Sequence, residues 1–258
     1  WLMGEVATIF AGGIAAGIYP TDTPAQVGFK AKHSGSALAI VENISKARVF
    51  LDQKESLPAL KGIVIWDPET PESELANVKS FGSSCSVQVI HWRELDTLAA
   101  EVSDEELDAR ISDQRPGHVC CYIYTSGTTG NPKAVMITHD NIIFESTVVI
   151  TKGIHVFGVE AEEERVISYL PLSHVAGMMV DICCPMICTA NLAGWTCTHF
   201  ARNYDLKALS IVERFKTVRP TLFLGVPRVW EKLQGTMTRK KQAAIDAGEI
   251  SSTMLWIT

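Results

Sequence analysis

The chain has 258 residues, 47% hydrophobic and 20% charged, the balance of a soluble globular protein of one large or two ordinary domains. Its 23 basic and 29 acidic residues give a formal charge of −6, and its largest basic cluster is Arg239, Lys240 and Lys241, which argues against nucleic acid as the main partner. Seven cysteines, odd in number and without a C-x-x-C pair, point to neither a disulfide framework nor a zinc site; they read as small buried hydrophobes in a reducing compartment.

The chain opens on Trp1, inside the apolar stretch "WLMGEVATIFAGGIAAGIYP" with no basic region ahead of it, and reads as a piece cut within a helix near 1–17. About 16 uncharged residues ended by Pro20 are short for a membrane span, and Gly13 and Gly17 are expected to allow close packing in a core. Asp22 and Thr23 before Pro24 cap a helix over Pro24–Ser34, which Gly35 closes. Strand "ALAIV", a helix over 43–55 and strand "GIVIW" follow. The acidic "DPETPESELAN" is predicted as a surface loop. Next come strand "VQVIH", a helix over 92–100 and, in "EVSDEELDARISDQRPGH", a short acidic helix and linker. The second half predicts a strand over 118–125, a Gly/Thr-rich loop and a helix opening near Thr138. Strand "RVISYL", a helix around 175–190, a strand over 192–199, a helix over 205–217, strand "TLFLG" and a last helix from Pro227 complete it. Strands and helices taking turns predict an α/β fold with a parallel sheet.

The loop in "YTSGTTGNPKAVM" is built to hold an anion with many oxygens. Glycines Gly127 and Gly130 let backbone N–H groups point into a concavity, Ser126, Thr128 and Thr129 add hydroxyls, and Lys133 supplies a point charge behind the rigid Pro132. A Walker A phosphate loop needs G-x-x-x-x-G-K-[ST]; the spacing here is G-x-x-G-x-x-K followed by Ala134, which excludes it. In "LPLSH", His174 stands at a strand-to-helix junction, open either to a site role or to a helix-start role bonded to backbone.

"YTSGTTGNPKAVMITHDN" resembles the phosphate-binding signature of the adenylate-forming enzymes, and "IFAGGIAAGIYPTDTP", "YLPLSHVAGMMVDI" and "GVPRVWEKL" are similar to long-chain acyl-CoA synthetases of the bubblegum type. The resemblance runs over nearly the whole chain. It implies residues 1–258 as part of the large N-terminal domain of that fold, and a parent enzyme that activates a long-chain fatty acid with ATP and Mg²⁺ through acyl-AMP to acyl-CoA. On matching positions, Thr125, Ser126, Gly127, Thr128, Thr129, Gly130 and Lys133 would cradle the β- and γ-phosphates, the Thr128 hydroxyl would reach Mg²⁺, and His174 would line the place where carboxylate, adenylate and the CoA thiol meet. Met178 falls where some long-chain enzymes carry a tryptophan gate, and equally suits a core filler. Arg228 and Trp230 would lie near the acyl-binding wall, or simply start a capped helix.

The family loop usually ends Lys-Gly, so Ala134 would be strained if that position required positive φ, at about 1–2 kcal/mol. By the same resemblance the adenine- and ribose-binding residues, the Mg²⁺ glutamate and the lid with its adenylation lysine would follow Thr258. The chain alone is therefore expected to bind ATP weakly, make no acyl-CoA and be poorly soluble. A cytoplasmic location is expected, with peripheral contact at the endoplasmic reticulum membrane left open. The alternatives are a noncatalytic nucleotide-binding or scaffold protein that keeps the fold, and luciferase-like or amino-acid-adenylating activity.

Overall fold

The computed structural model describes residues 1–125, 131–157, 163–202, 204–205 and 210–248, the side chains of 153–157 excepted. Helix α1 (Leu2–Phe10) ends well before residue 17; the chain then turns through Gly12 and Gly13 into the two-residue strand β1 (Ala15–Ala16). The predicted long first helix is thus a helix and a strand, because a Gly-Gly pair releases the backbone from helical φ. Helix α2 (Pro24–Ser34) is as its caps predict. The Thr23 hydroxyl accepts from Gln26 N, the Gln26 side chain accepts from Thr23 N, and Gly35 follows at φ 64°.

Strands β2 (Leu38–Val41), β3 (Gly62–Ile65) and β4 (Gln88–His91) form a parallel sheet in that order, connected through α3 (Ile44–Leu51) and α4 (Glu72–Ser84). Helix α4 corrects the predicted surface loop: "ESELAN" is its first turns, with Glu72 and Glu74 at the N-terminus, where acidic side chains favour the helix dipole. Polar composition had hidden the buried Leu75 and Val78. These two join Ile63, Ile65 and Val89 of the sheet, Val87 just before β4, and Ala47, Phe50 and Leu51 of α3 in one apolar core.

After α5 (Leu95–Ala99) and α6 (Asp104–Ser112), strand β5 (Val119–Thr125) pairs in parallel with β1 on one side and antiparallel with β6 (Lys133–Thr138) on the other. Strand β6 was not predicted, and the sheet is mixed rather than parallel throughout; "KAVMIT" is half exposed and lacks the apolar alternation that marks a strand. Helix α7 (His139–Phe157) opens where predicted.

Strand β7 (Glu163–Ser168) pairs in parallel with β8 (Trp195–Phe200) across α8 (Val175–Gly177), a π-helical stretch Met178–Cys183 and α9 (Cys184–Asn191). Helices α10 (Ile211–Val218) and α11 (Pro227–Asp246) complete the described chain. The predicted strand "TLFLG" is only a single parallel bridge, Val166 to Leu222. A second core, of Cys120, Cys121 and Ile123 from β5 with Met178, Met179, Ile182 and Cys183 from the π-helical stretch, ties the two later sheets together. All seven cysteines are free, five of them buried, as expected; burial pushes the Cys120 and Cys184 thiols up to about 11 and Cys183 to about 12, which leaves them unreactive.

Candidate functional site

The Gly/Thr-rich loop is slung between the ends of a hairpin. Thr125, the last residue of β5, stands opposite Lys133, the first of β6, and its Oγ1 donates to the Lys133 carbonyl at 3.5 Å. Residues 126–130, which include Ser126, Gly127, Thr128, Thr129 and Gly130, lie outside the described residues. The strand ends nevertheless place the Lys133 stem and the Thr125 hydroxyl side by side at the loop's mouth, both exposed. Among the described residues Lys133 makes no ion pair, so its charge is available to an anion. Ala134 pairs with Tyr124 in β6 and is not one of the positive-φ residues. The departure from Lys-Gly therefore costs this backbone nothing.

His174 is the N-cap of α8: its Nδ1 accepts from Ala176 N at 3.1 Å, while its backbone N–H donates to the Pro171 carbonyl at 2.9 Å. The helix-start role is thus the one its contacts display, and the ring is otherwise exposed. Two glycines set its position. A Cβ on Gly177 would meet the Pro171 carbonyl oxygen at 2.6 Å, so only glycine lets the helix start fold back on "PLSH". A Cβ on Gly17 would sit 2.9 Å from Ser173 Cβ; Gly17 N also donates to the Tyr122 carbonyl of β5. His174 is therefore located relative to the hairpin through Ser173, Gly17 and β5, and through the second core.

Met178 is 1% exposed and packs with Cys120 and Ile123, the core-filler position. Arg228 is exposed at the start of α11. Trp230 is half exposed; its Nε1 donates to the Gly225 carbonyl at 2.8 Å, and it meets Phe223 edge-on at 5.5 Å. Phe223 in turn stacks on Tyr169, whose hydroxyl bonds Leu224 and Val226. "GVPRVW" is thus strapped to the end of β7.

Two buried polar features went unnoticed in the sequence. Asp181, in the π-helical stretch, is buried with Oδ2 unpartnered among the described residues; burial pushes its carboxyl up to about 6, with a Ser168 hydrogen bond opposing. Lys30 of α2 is 3% exposed and paired to Asp22 at 2.5 Å. Lys30 stands in no motif, and Asp181, although inside "YLPLSHVAGMMVDI", carries no spacing that marks it as buried. Among the described residues no group of three or more His, Cys, Asp or Glu could hold a metal ion, and no helix is long and apolar enough to cross a membrane.

A family model described as AMP-binding enzyme matches residues 1–256. The chain is 39% identical over 240 residues to a long-chain-fatty-acid–CoA ligase ACSBG2 of Gallus gallus, covering 92% of this chain and 29% of that protein. It is 36% identical over 255 residues to a long-chain-fatty-acid–CoA ligase ACSBG1 of Rattus norvegicus, covering 99% of this chain and 32% of that one. It spans about a third of the length of these relatives. The solved A domain of a carboxylic acid reductase from Segniliparus rugosus, in complex with AMP and a co-purified carboxylic acid, superposes with a TM-score of 0.62 at 18% identity, over 96% of this chain and 38% of that one. At that identity the likeness is one of fold.

Proposed function

The chain belongs to the AMP-binding enzyme family, and on that premise we propose that it is the part of a long-chain fatty acid–CoA ligase that grips the phosphates of ATP. In the parent reaction the fatty acid carboxylate attacks the α-phosphorus, pyrophosphate leaves to give acyl-AMP, and the CoA thiol then displaces AMP. The carboxylate is already a nucleophile and needs no general base. What the site must do is align the triphosphate and offset the charge that grows on the leaving pyrophosphate.

The observation that carries this reading is the Thr125–Lys133 pairing. It closes a loop rich in backbone and hydroxyl donors at the place where a strand starts with Lys133, whose ammonium makes no ion pair among the described residues. Thr125, Ser126, Gly127, Thr128, Thr129 and Gly130 are proposed to bind the β- and γ-phosphates, and Lys133 to offset the charge on the departing pyrophosphate. Mg²⁺ is proposed to arrive with the nucleotide and to meet the Thr128 hydroxyl. His174, its Nδ1 occupied by the helix start, is proposed to face the reacting carboxylate through the rest of the ring. Long-chain acids partition into membranes, so a cytoplasmic location with peripheral contact at the endoplasmic reticulum surface fits this reading.

Lys133→Ala in the parent ligase tests it. Losing one preorganised contact to developing charge costs about 2.7–4 kcal/mol, so ATP–pyrophosphate exchange with a long-chain acid is expected to slow by about a hundredfold or more while the melting temperature holds. Near-normal exchange by this variant would overturn the assignment.

A further inference from the structure

A polar cluster, buried at Tyr124 and Lys30 and open to solvent at His33, lies next to the hairpin mouth. Tyr124, the residue before Thr125, is 2% exposed and turns its phenol toward α2. The phenol donates to the Lys30 carbonyl at 3.2 Å, which leaves its oxygen to accept from His33 Nδ1 at 3.0 Å. Helix α2 is itself held from the other side. The Lys30 ammonium pairs with Asp22 and lies 4.8 Å from the centre of the Tyr19 ring and 5.5 Å from that of Tyr124. The second function of Asp22 Oδ2 is to accept from Tyr19 N at 2.8 Å, which fixes the turn leading into α2.

The two ends of the loop are held unequally. Strand β6 has no buried residue and is an edge of its sheet among the described residues; beyond its ladder to β5 it is held at its far end, where Ile137 packs against the second core, and the Lys133 end is the less restrained. Strand β5 is the anchored partner, and the last side chain it buries before the loop is Tyr124. We propose that Tyr124 is a positioning residue for the phosphate loop: its phenol, clamped between the Lys30 carbonyl and His33, sets where Thr125 and the loop beyond it start, and the Asp22–Lys30 pair holds the clamp. The proposal rests on the reading of residues 125–133 as the phosphate site.

The test is Tyr124→Phe in the parent ligase, which removes one oxygen and keeps the ring. Misplacing a reacting group by a fraction of an ångström costs rate rather than fold, so kcat for ATP–pyrophosphate exchange is expected to fall about tenfold, with KM for the fatty acid unchanged. His33→Leu is expected to lose a similar factor. His33→Asn, whose amide N–H can donate to the phenol, is expected to stay within about twofold of the parent. A Tyr124→Phe enzyme that melts lower but keeps its kcat and its KM for ATP would overturn the proposal, since that is the signature of a purely structural bond. Should Tyr124→Phe fail to fold, the His33 pair decides: equal rates for His33→Leu and His33→Asn overturn it. Lys133→Ala separates the two levels. If it is fully active, the phosphate-site reading fails and the proposal with it; if it is inactive while Tyr124→Phe keeps the parent rate, only the proposal fails.

Discussion

The sheet β2-β3-β4 and the hairpin β5–β6 are built on opposite plans. In the first, β2 and β3 are each followed by a helix that packs on the sheet, and every member of the apolar cluster is a hydrocarbon side chain. In the second, an exposed edge strand is carried by a neighbour whose own support comes from α2, from β1 and from the π-helical stretch Met178–Cys183, all distant in sequence. Its environment includes buried ionisable groups: Lys30 with Asp22, and Asp181, whose Oδ2 has no partner among the described residues. A region that only has to be stable can be apolar and local. One that has to present a cation and hydroxyls at a chosen point takes its restraints from several elements, some of them polar.

The comparison breaks or sharpens first at Ile63, which is fully buried in the central strand of the local sheet. Ile63→Ala is expected to cost about 2–5 kcal/mol, measured as a shift in the urea midpoint, and to cost the same at pH 5 and pH 8 because the side chains clustered around it are hydrocarbon. A pH-dependent loss would contradict the division drawn here.

Asp181 is the contrasting case. Its carboxyl is held near 6, above its ordinary value, so the fold favours the protonated form. That contribution is present below the unfolded value and is lost as pH rises through about 6. Asp181→Asn is therefore expected to be more stable than the parent sequence by about 3 kcal/mol at pH 8, and nearly equal to it near pH 4, in paired thermal scans. An Asn variant that melts lower at pH 8 would mean that the carboxylate has a partner outside the described residues.

Thr23→Ala removes the hydroxyl half of the capping box that starts α2. The expected loss is about 1 kcal/mol at either pH. Because α2 also carries Lys30 and His33, hydrogen exchange at Tyr124 is the sharper reading: faster exchange there would show the cap being felt at the hairpin.

Ala134→Gly is the smallest change. Since Ala134 sits in a paired strand without positive φ, Gly is expected to be neutral or to destabilise by less than about 1 kcal/mol through the unfolded chain. A gain above about 1 kcal/mol in a thermal scan would show that the strand end is strained.

The sequence by itself determined the α/β class, the helix at Pro24–Ser34 to the residue, the three strands of the local sheet, the burial of the cysteines and the family signature around Lys133. Each of these is written in short-range terms: a cap three residues from its partner, a β-branched run, a glycine one position past a helix. It misplaced α4, whose acidic N-terminus reads as loop although it favours the helix dipole, and it passed over β6, whose pairing depends on a neighbour rather than on its own pattern. The tertiary structure alone decided that Thr125 and Lys133 stand opposite each other, that Ser173 rests on Gly17, and that Tyr124 is clamped to Lys30 and His33. Those contacts join residues from 8 to 156 positions apart. Nothing local encodes them: a strand's register and a buried hydrogen bond are chosen by which surfaces can be desolvated together, and that choice exists only once the chain has closed on itself.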